Sequence, residues 1–195
     1  MKNNIENAVT HLKKGGMVVL MDEDSREGEA DVVIPAEKCT IEDLRFMATK
    51  CMGVICLAAN PNILDRLQIP LMVKKNTDRF STGFTVSVDY KHGTTTGVSL
   101  YDRLKTIRAI LDKKSRPTDF TRPGHVFPLR SNPKGLRGRK GHTESSIHLM
   151  KMAKLSKAAV ICEVLNKKGK SADKRESKLF AETHGLPFLK IRDLL

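Results

Sequence analysis

Apolar residues along this chain alternate between a helical and an extended spacing. Ile5, Ala8, Val9 and Leu12 recur at i, i+3, i+4 and i+7, and Gly15 and Gly16 then supply a stop, which predicts an amphipathic opening helix. The apolar run MVVLM at 17–21 has the length of a strand. The polar stretch DEDSREGEAD at 22–31 predicts an exposed loop, and DVVIPA at 31–36 returns the chain to the sheet. Thr40 and Asp43 have the spacing of a capping box ahead of a helix carrying Leu44, Met47 and Ala48. VICLAA at 54–59 predicts a second buried strand. Residues 69–82 hold prolines and paired lysines with few periodic apolar positions, and predict an irregular loop. GFTVSVDY at 83–90 alternates, which places Phe84, Val86 and Val88 on one buried face.

Further along, Ser99 and Asp102 begin a capped helix whose Leu100, Leu104, Ile107 and Leu111 share a stripe. RPGHVFPLR at 122–130 carries two prolines and predicts a loop with an edge strand. Thr143 is the expected N-cap of a helix with Ser146, Leu149, Met150 and Ala153 on one side. AAVICEVL at 158–165 is a buried strand interrupted by one charge, Glu163. A basic turn, a helix near 174–183 and a short strand at 187–191 follow. Helices and strands interleave without a linker or repeat. This predicts an α/β (α+β) sandwich, a mixed β-sheet covered by helices, in a single domain over 1–195.

Composition narrows the function. With 195 residues and 39% hydrophobic content the chain can build a core, which excludes global disorder. No apolar run approaches the roughly 18–20 residues of a membrane span. Residues 1–16 lack the continuous apolar segment of a secretory signal, so the expected location is the cytoplasm, with no membrane partner. Cys39, Cys51, Cys56 and Cys162 form no C-x-x-C pair, which argues against a disulfide framework or a thiolate zinc site. The formal charge of +13 would suit nucleic acid or a phosphorylated small molecule. Lysines are spread along the chain, Trp is absent and only two Tyr are present, so stacking platforms for bases are few and no nucleic-acid partner is expected.

Four features carry candidate chemistry. Asp22, Glu23, Asp24, Glu27, Glu29 and Asp31 lie within ten residues of a basic protein. Such a run is either a solvated polar turn or a group neutralised by Arg26 or by a divalent cation. GRKGHTE at 138–144 sets Arg139 and Lys140 ahead of a helix N-terminus, either an ordinary capped helix or a place for a phosphate beside a metal-binding His142. Glu163 either faces solvent or enters a cleft, where desolvation would raise its pKa into a useful range for proton transfer. His125 is by itself equally well read as a structural histidine.

DEDSREGEAD, STGFTVSV, GTTTGVSLYDR, RPGHVFPLR, GRKGHTE and VICEVLN occur in this order over nearly the whole chain. In order and spacing they resemble the motifs of the 3,4-dihydroxy-2-butanone 4-phosphate synthase family. The resemblance implies a lyase of riboflavin biosynthesis that converts D-ribulose 5-phosphate into L-3,4-dihydroxy-2-butanone 4-phosphate and formate. It further implies magnesium, with manganese as the alternative, no organic cofactor and a homodimer. By resemblance, Glu27 and His142 are the metal ligands, and His125 and Glu163 the catalytic side chains. Arg26, Glu27, Asp31, Arg139, Lys140, Gly141, His142, Thr143 and Glu163 correspond to substrate-binding positions, and Glu29, Cys56 and Thr96 to further residues lining the site. Acid–base roles fall to Asp31, Glu29, His125 and Glu163. The family often carries GTP cyclohydrolase II after this domain, and no such domain is expected before Leu195. The chain departs from the family pattern at Ser25, where an acidic residue is common, at Lys140, where a small residue is usual, and at His148, which replaces an acidic one.

Overall fold

The apolar runs become strands of one seven-stranded sheet. The computed structural model describes residues 2–23 and 25–195, so Asp24 of the acidic run lies outside the described residues. In chain order the elements are α1 (Lys2–Lys13), β1 (Val18–Met21), β2 (Ala30–Pro35), α2 (Ile41–Phe46), β3 (Cys56–Ala59), α3 (Pro61–Arg66) and β4 (Val88–Tyr90). They continue with α4 (Leu100–Leu111), β5 (Phe120–Arg130), α5 (His142–Met152), β6 (Ala158–Glu163), α6 (Lys174–Thr183) and β7 (Phe188–Lys190). The strand order is β4-β5-β3-β6-β2-β1-β7, with β1/β7 and β3/β5 parallel and the other pairs antiparallel.

Successive strand residues face opposite sides. Val19, Met21, Val32, Ile34, Leu57, Val160 and Cys162 pack into the core beneath α2, α3, α4 and α6. Val18, Leu20, Val33, Cys56, Ala58 and Ile161 pack beneath α1 and α5. Helices on both faces explain why these strands read as unbroken apolar runs. The same alternation puts Asp31, two residues before Val33, and Glu163, two after Ile161, on the α5 side, where the register sets them directly opposite each other. The predicted capping box is present: the Asp43 N–H donates to Thr40 Oγ1 at 3.3 Å, and the Thr40 N–H donates to the Asp43 carboxylate at 2.8 Å. Ser99 caps α4 by accepting from the Asp102 N–H at 3.0 Å.

Several local expectations are corrected. RPGHVFPLR is no edge segment: β5 is an eleven-residue interior strand between β3 and β4. Its prolines are tolerated because Pro123 falls where the β4/β5 register jumps from Val88↔Val126 to Asp89↔Thr121. Pro128 turns its backbone away from β3, toward the irregular segment, where its carbonyl accepts from the Thr85 N–H at 3.0 Å. The burial of 83–90 also departs in part from the one expected, although Val88 is in the core. Thr85, Ser87 and Asp89 are buried while Phe84 is exposed, and only Val88–Tyr90 forms a regular strand. The polar side chains bond backbone groups of β5 beside the proline and at the register jump. Thr85 Oγ1 donates to the Pro128 carbonyl at 2.8 Å, and Ser87 Oγ accepts from the Gly124 N–H at 3.1 Å.

The acidic stretch is not simply exposed either. Asp22 and Asp31 are buried, because they sit where β1 ends and β2 begins under the N-terminus of α5. The N-cap of α5 is Gly141, not Thr143, which is buried in the first turn. A Cβ on Gly141 would lie 2.1 Å from Arg139 Nη1 and 3.0 Å from Arg26 Nη2, so the cap position is kept bare by two guanidinium groups. Among the described residues no helix is long and apolar enough to cross a membrane.

Candidate active site

A cavity of about 230 Å³ opens where β2, β3, β5 and β6 present their α5-facing side chains. Glu27, Glu29, Asp31, Cys56, Arg139, His142, Thr143 and Glu163 line it, eight residues that the sequence scatters over three motifs and the strand 54–59. The turn between β1 and β2 carries Arg26, which pairs with Asp22 and sets Nη2 2.8 Å from Glu27 Oε1. His142, the first residue of α5, places Nδ1 3.2 Å from Glu27 Oε2 and 3.9 Å from Asp31 Oδ1.

Arg139 is held from several directions. Its Nη1 donates to Glu144 at 2.8 Å, its Nη2 to Thr82 Oγ1 at 2.8 Å and its Nε to the Phe80 carbonyl at 2.9 Å. Glu144 is itself buried and accepts from the Asn132 N–H at 2.9 Å. A planar guanidinium fixed in this way is pre-oriented for a bidentate anion. Gly141 brings no side-chain cap to α5, so the first-turn N–H groups around Thr143 remain available to the same anion.

Charge states follow from burial. Burial pushes the Asp31 carboxyl up to about 7; His142 pulls it down, while Glu163, Glu27 and Glu29 add to the rise. Burial also raises Glu163, against the stabilising bond of 2.7 Å that its carboxylate accepts from the Val54 N–H. For His142, burial disfavours the charged ring, but Asp31, Glu27 and Asp22 outweigh it and carry the pKa to about 9. Burial works against ionised Glu27 too, yet His142 and Arg26 bring it below the ordinary carboxylate value. The cavity thus contains one carboxyl, Asp31, able to carry a proton near neutral pH, a second, Glu163, also shifted upward, and a third, Glu27, held ionised.

The donor set suits a divalent cation. One ligand atom each from Asp22, Glu27 and His142 fall within 4.8 Å of one another, and Asp31 Oδ1 and His142 Nε2 are buried without a hydrogen-bond partner. Two carboxylates and an imidazole match a hard to borderline ion. Asp22 is engaged by Arg26 and by the Glu23 N–H, and Glu27 by Arg26 and His142, while His142 Nε2 and Asp31 Oδ1 are the donor atoms left without a partner.

Other expected site residues lie elsewhere. Arg26 and Gly141 form the wall behind Glu27 and Arg139. Lys140 is exposed and lines a separate groove with Arg137, His148 and Lys151, because the turn into α5 points it away from Arg139. His125 and Thr96 are outside the cavity, and His125 pairs with Asp89 on a half-exposed surface. Sequence reasoning missed Phe80 and Thr82, which lie at the end of the segment 69–82 read as an irregular loop and close over Arg139. It also missed Glu144, whose signal was a carboxylate two residues after His142 in a buried first turn.

Gly141→Ala tests this crowding. Its methyl would displace the flexible ends of Arg139 and Arg26, not backbone, so the fold is expected to lose no more than about 1 kcal/mol. Anion affinity is expected to fall roughly tenfold or more as the bidentate geometry is lost. Phosphate titration and chemical denaturation of the same variant separate the two effects.

The family model for 3,4-dihydroxy-2-butanone 4-phosphate synthase matches residues 6–195. The chain is 46% identical over 191 residues to a 3,4-dihydroxy-2-butanone 4-phosphate synthase of Agrobacterium fabrum, covering 98% of this chain and 90% of that one. It is 43% identical over 195 residues to the riboflavin biosynthesis protein RibBA of Aquifex aeolicus, covering 99% of this chain and 48% of that one. A crystal structure of a 3,4-dihydroxy-2-butanone 4-phosphate synthase in complex with two magnesium ions superposes with a TM-score of 0.91 at 38% identity, covering 97% of this chain and 94% of that one.

Proposed function

Because this chain belongs to the 3,4-dihydroxy-2-butanone 4-phosphate synthase family, a family of riboflavin biosynthesis, we propose that the cavity beneath Arg139 is where it performs that family's reaction. The chain is a lyase that converts D-ribulose 5-phosphate into L-3,4-dihydroxy-2-butanone 4-phosphate and formate. The observation that carries the site assignment is the convergence of Glu27, Asp31, Arg139, His142 and Glu163 on one small cavity.

Arg139 and the uncapped start of α5 hold the phosphate, with Thr143 beside it, so that binding energy remote from the reacting carbons orients them. Glu27 and His142 hold magnesium, with manganese the nearest alternative on donor chemistry. The ion, when bound, supplies positive charge beside the ketose oxygens and so eases removal of the neighbouring carbon-bound proton. Asp31 and Glu163, facing each other with raised pKa values, take and return protons on one side of the substrate. Glu29, tied to Ser171 by a 2.6 Å bond, and Cys56 complete the wall.

His125 joins from a second copy in a homodimer, since in its own chain it lies outside the cavity. Support comes from exposed Leu71, Met72 and Phe84, apolar surface beside the cavity wall that a partner would cover. The four cysteines are all buried and free, in keeping with the cytoplasm.

Incubating the purified protein with D-ribulose 5-phosphate and magnesium is expected to release formate in step with a four-carbon phosphate. A phosphosugar isomerase or aldolase using related chemistry would consume substrate without formate.

A further inference from the structure

The segment around His125 contains a built arrangement that the cavity does not use. Between Val88↔Val126 and Asp89↔Thr121 the β4/β5 register jumps, so residues 122–125 of β5 stand out against two consecutive residues of β4. Asp89 is buried, with a side chain 11% exposed that reaches into this step. Its Oδ1 accepts from the His125 backbone N–H at 2.8 Å, and its Oδ2 lies 2.7 Å from His125 Nδ1. One carboxylate therefore grips the same histidine at main chain and ring.

Asp89 is itself backed by the GTTTG turn. A Cβ on Gly97 would lie 2.1 Å from Asp89 Oδ2, so only a glycine lets the turn close on the carboxylate. Asp102 fixes that turn by accepting from the Thr95 hydroxyl at 2.7 Å and from the Gly97 N–H at 3.1 Å. His92 and Asp119 offer a contrast: they meet only once, at 3.2 Å, and the His92 side chain is 62% exposed. That is an ordinary surface contact; the Asp89 arrangement fixes position, rotation and tautomer together.

We propose that Asp89 is a positioning residue for the reaction: it accepts the Nδ1 proton of His125 and so leaves Nε2, on the far side of the ring, as the proton acceptor presented to substrate. This rests on the reading that His125 is catalytic. A buried carboxylate on one imidazole nitrogen selects the tautomer that is basic at the other and stabilises the ring when it takes a proton. The motif GTTTGVSLYDR then acts through Gly97 and Asp102 as the support for Asp89.

Two measurements decide it. In the intact protein, nitrogen NMR of ring-labelled histidine, assigned with His125→Ala, is expected to show neutral His125 protonated at Nδ1; protonation at Nε2 would overturn the proposal. Asp89→Asn can still accept from the His125 backbone N–H but presents an amide N–H to Nδ1 and so reverses the tautomer. It is expected to lower kcat for formate release at least a hundredfold, with KM within about threefold. Asp89→Asn turnover within tenfold of the parent, while His125→Ala is inactive, would sink the positioning role alone. An active His125→Ala would remove His125 from the chemistry and the proposal with it.

Discussion

Glu163→Gln is expected to lower formate release by about 10²–10⁴-fold, the usual worth of a positioned acid–base group, while raising the thermal midpoint of the protein. Both effects come from one placement. Glu163 lies directly across from Asp31 on the α5 side of the sheet, and burial raises both carboxyls. Like charges set opposite each other in a sheet destabilise it. A glutamine keeps the size and an oxygen to accept from the Val54 N–H, and removes the charge.

The pH dependence has a definite sign. A carboxyl whose folded pKa exceeds its unfolded value binds protons more readily in the folded state, so stability falls as pH rises between the two values. For Asp31 that window runs from the ordinary aspartate value of 3.8 to about 7. Above it Asp31 is ionised opposite Glu163, and there the variant should gain most, on the order of 1 kcal/mol or roughly 2–4 °C. Thermal unfolding at pH 5 and pH 8 reads this directly. Equal midpoints for parent and variant at pH 8 would show that the two carboxyls do not oppose each other, and near-parental turnover would remove Glu163 from the mechanism.

Stripping divalent cations with a chelator is expected to abolish formate release, and added magnesium to restore it. The cation-binding step should be linked to protons, because a ring nitrogen must be neutral to act as a ligand. Asp31, Glu27 and Asp22 overcome burial and hold His142 at about 9, so near neutral pH the ring carries a proton that a cation must displace. Affinity should therefore rise with pH, by up to about tenfold per unit, and level off near 9. Calorimetry at pH 7 in buffers of different ionisation enthalpy should show about one proton released per ion. His142→Asn is expected to bind weakly with no pH slope. Full activity after exhaustive chelation would defeat the cation assignment, whereas intact activity with pH-independent binding would move the ligand away from His142.

Parts of this site were readable from residue order because short-range rules govern them. The capping box at Thr40 and Asp43 and the cap at Ser99 need only neighbours in the chain, and both appear where expected. The strands 17–21, 54–59 and 158–165 were legible because a strand buried on both faces must be apolar throughout. Where the reading went wrong, a distant partner had intervened. Thr85, Ser87 and Asp89 are buried in place of Phe84 because β5 offers their side chains backbone groups to bond. Gly141 caps α5 because Arg139, held across it by Phe80, Thr82 and Glu144, fills the space a side chain would need, with Arg26 behind it.

By itself the amino-acid order determined the kinds of element, most of their ends and the stock of reactive side chains, since these depend on periodicity and on contacts within a turn. Folding decided which of those side chains meet and in what charge state. Asp31 and Glu163 become proton carriers only because two remote strands pair in one register and a helix shuts out water above them. His125 acquires its orientation only because a register step sets it on Asp89. Desolvation and convergence are properties of packing between distant segments, and no local pattern encodes them.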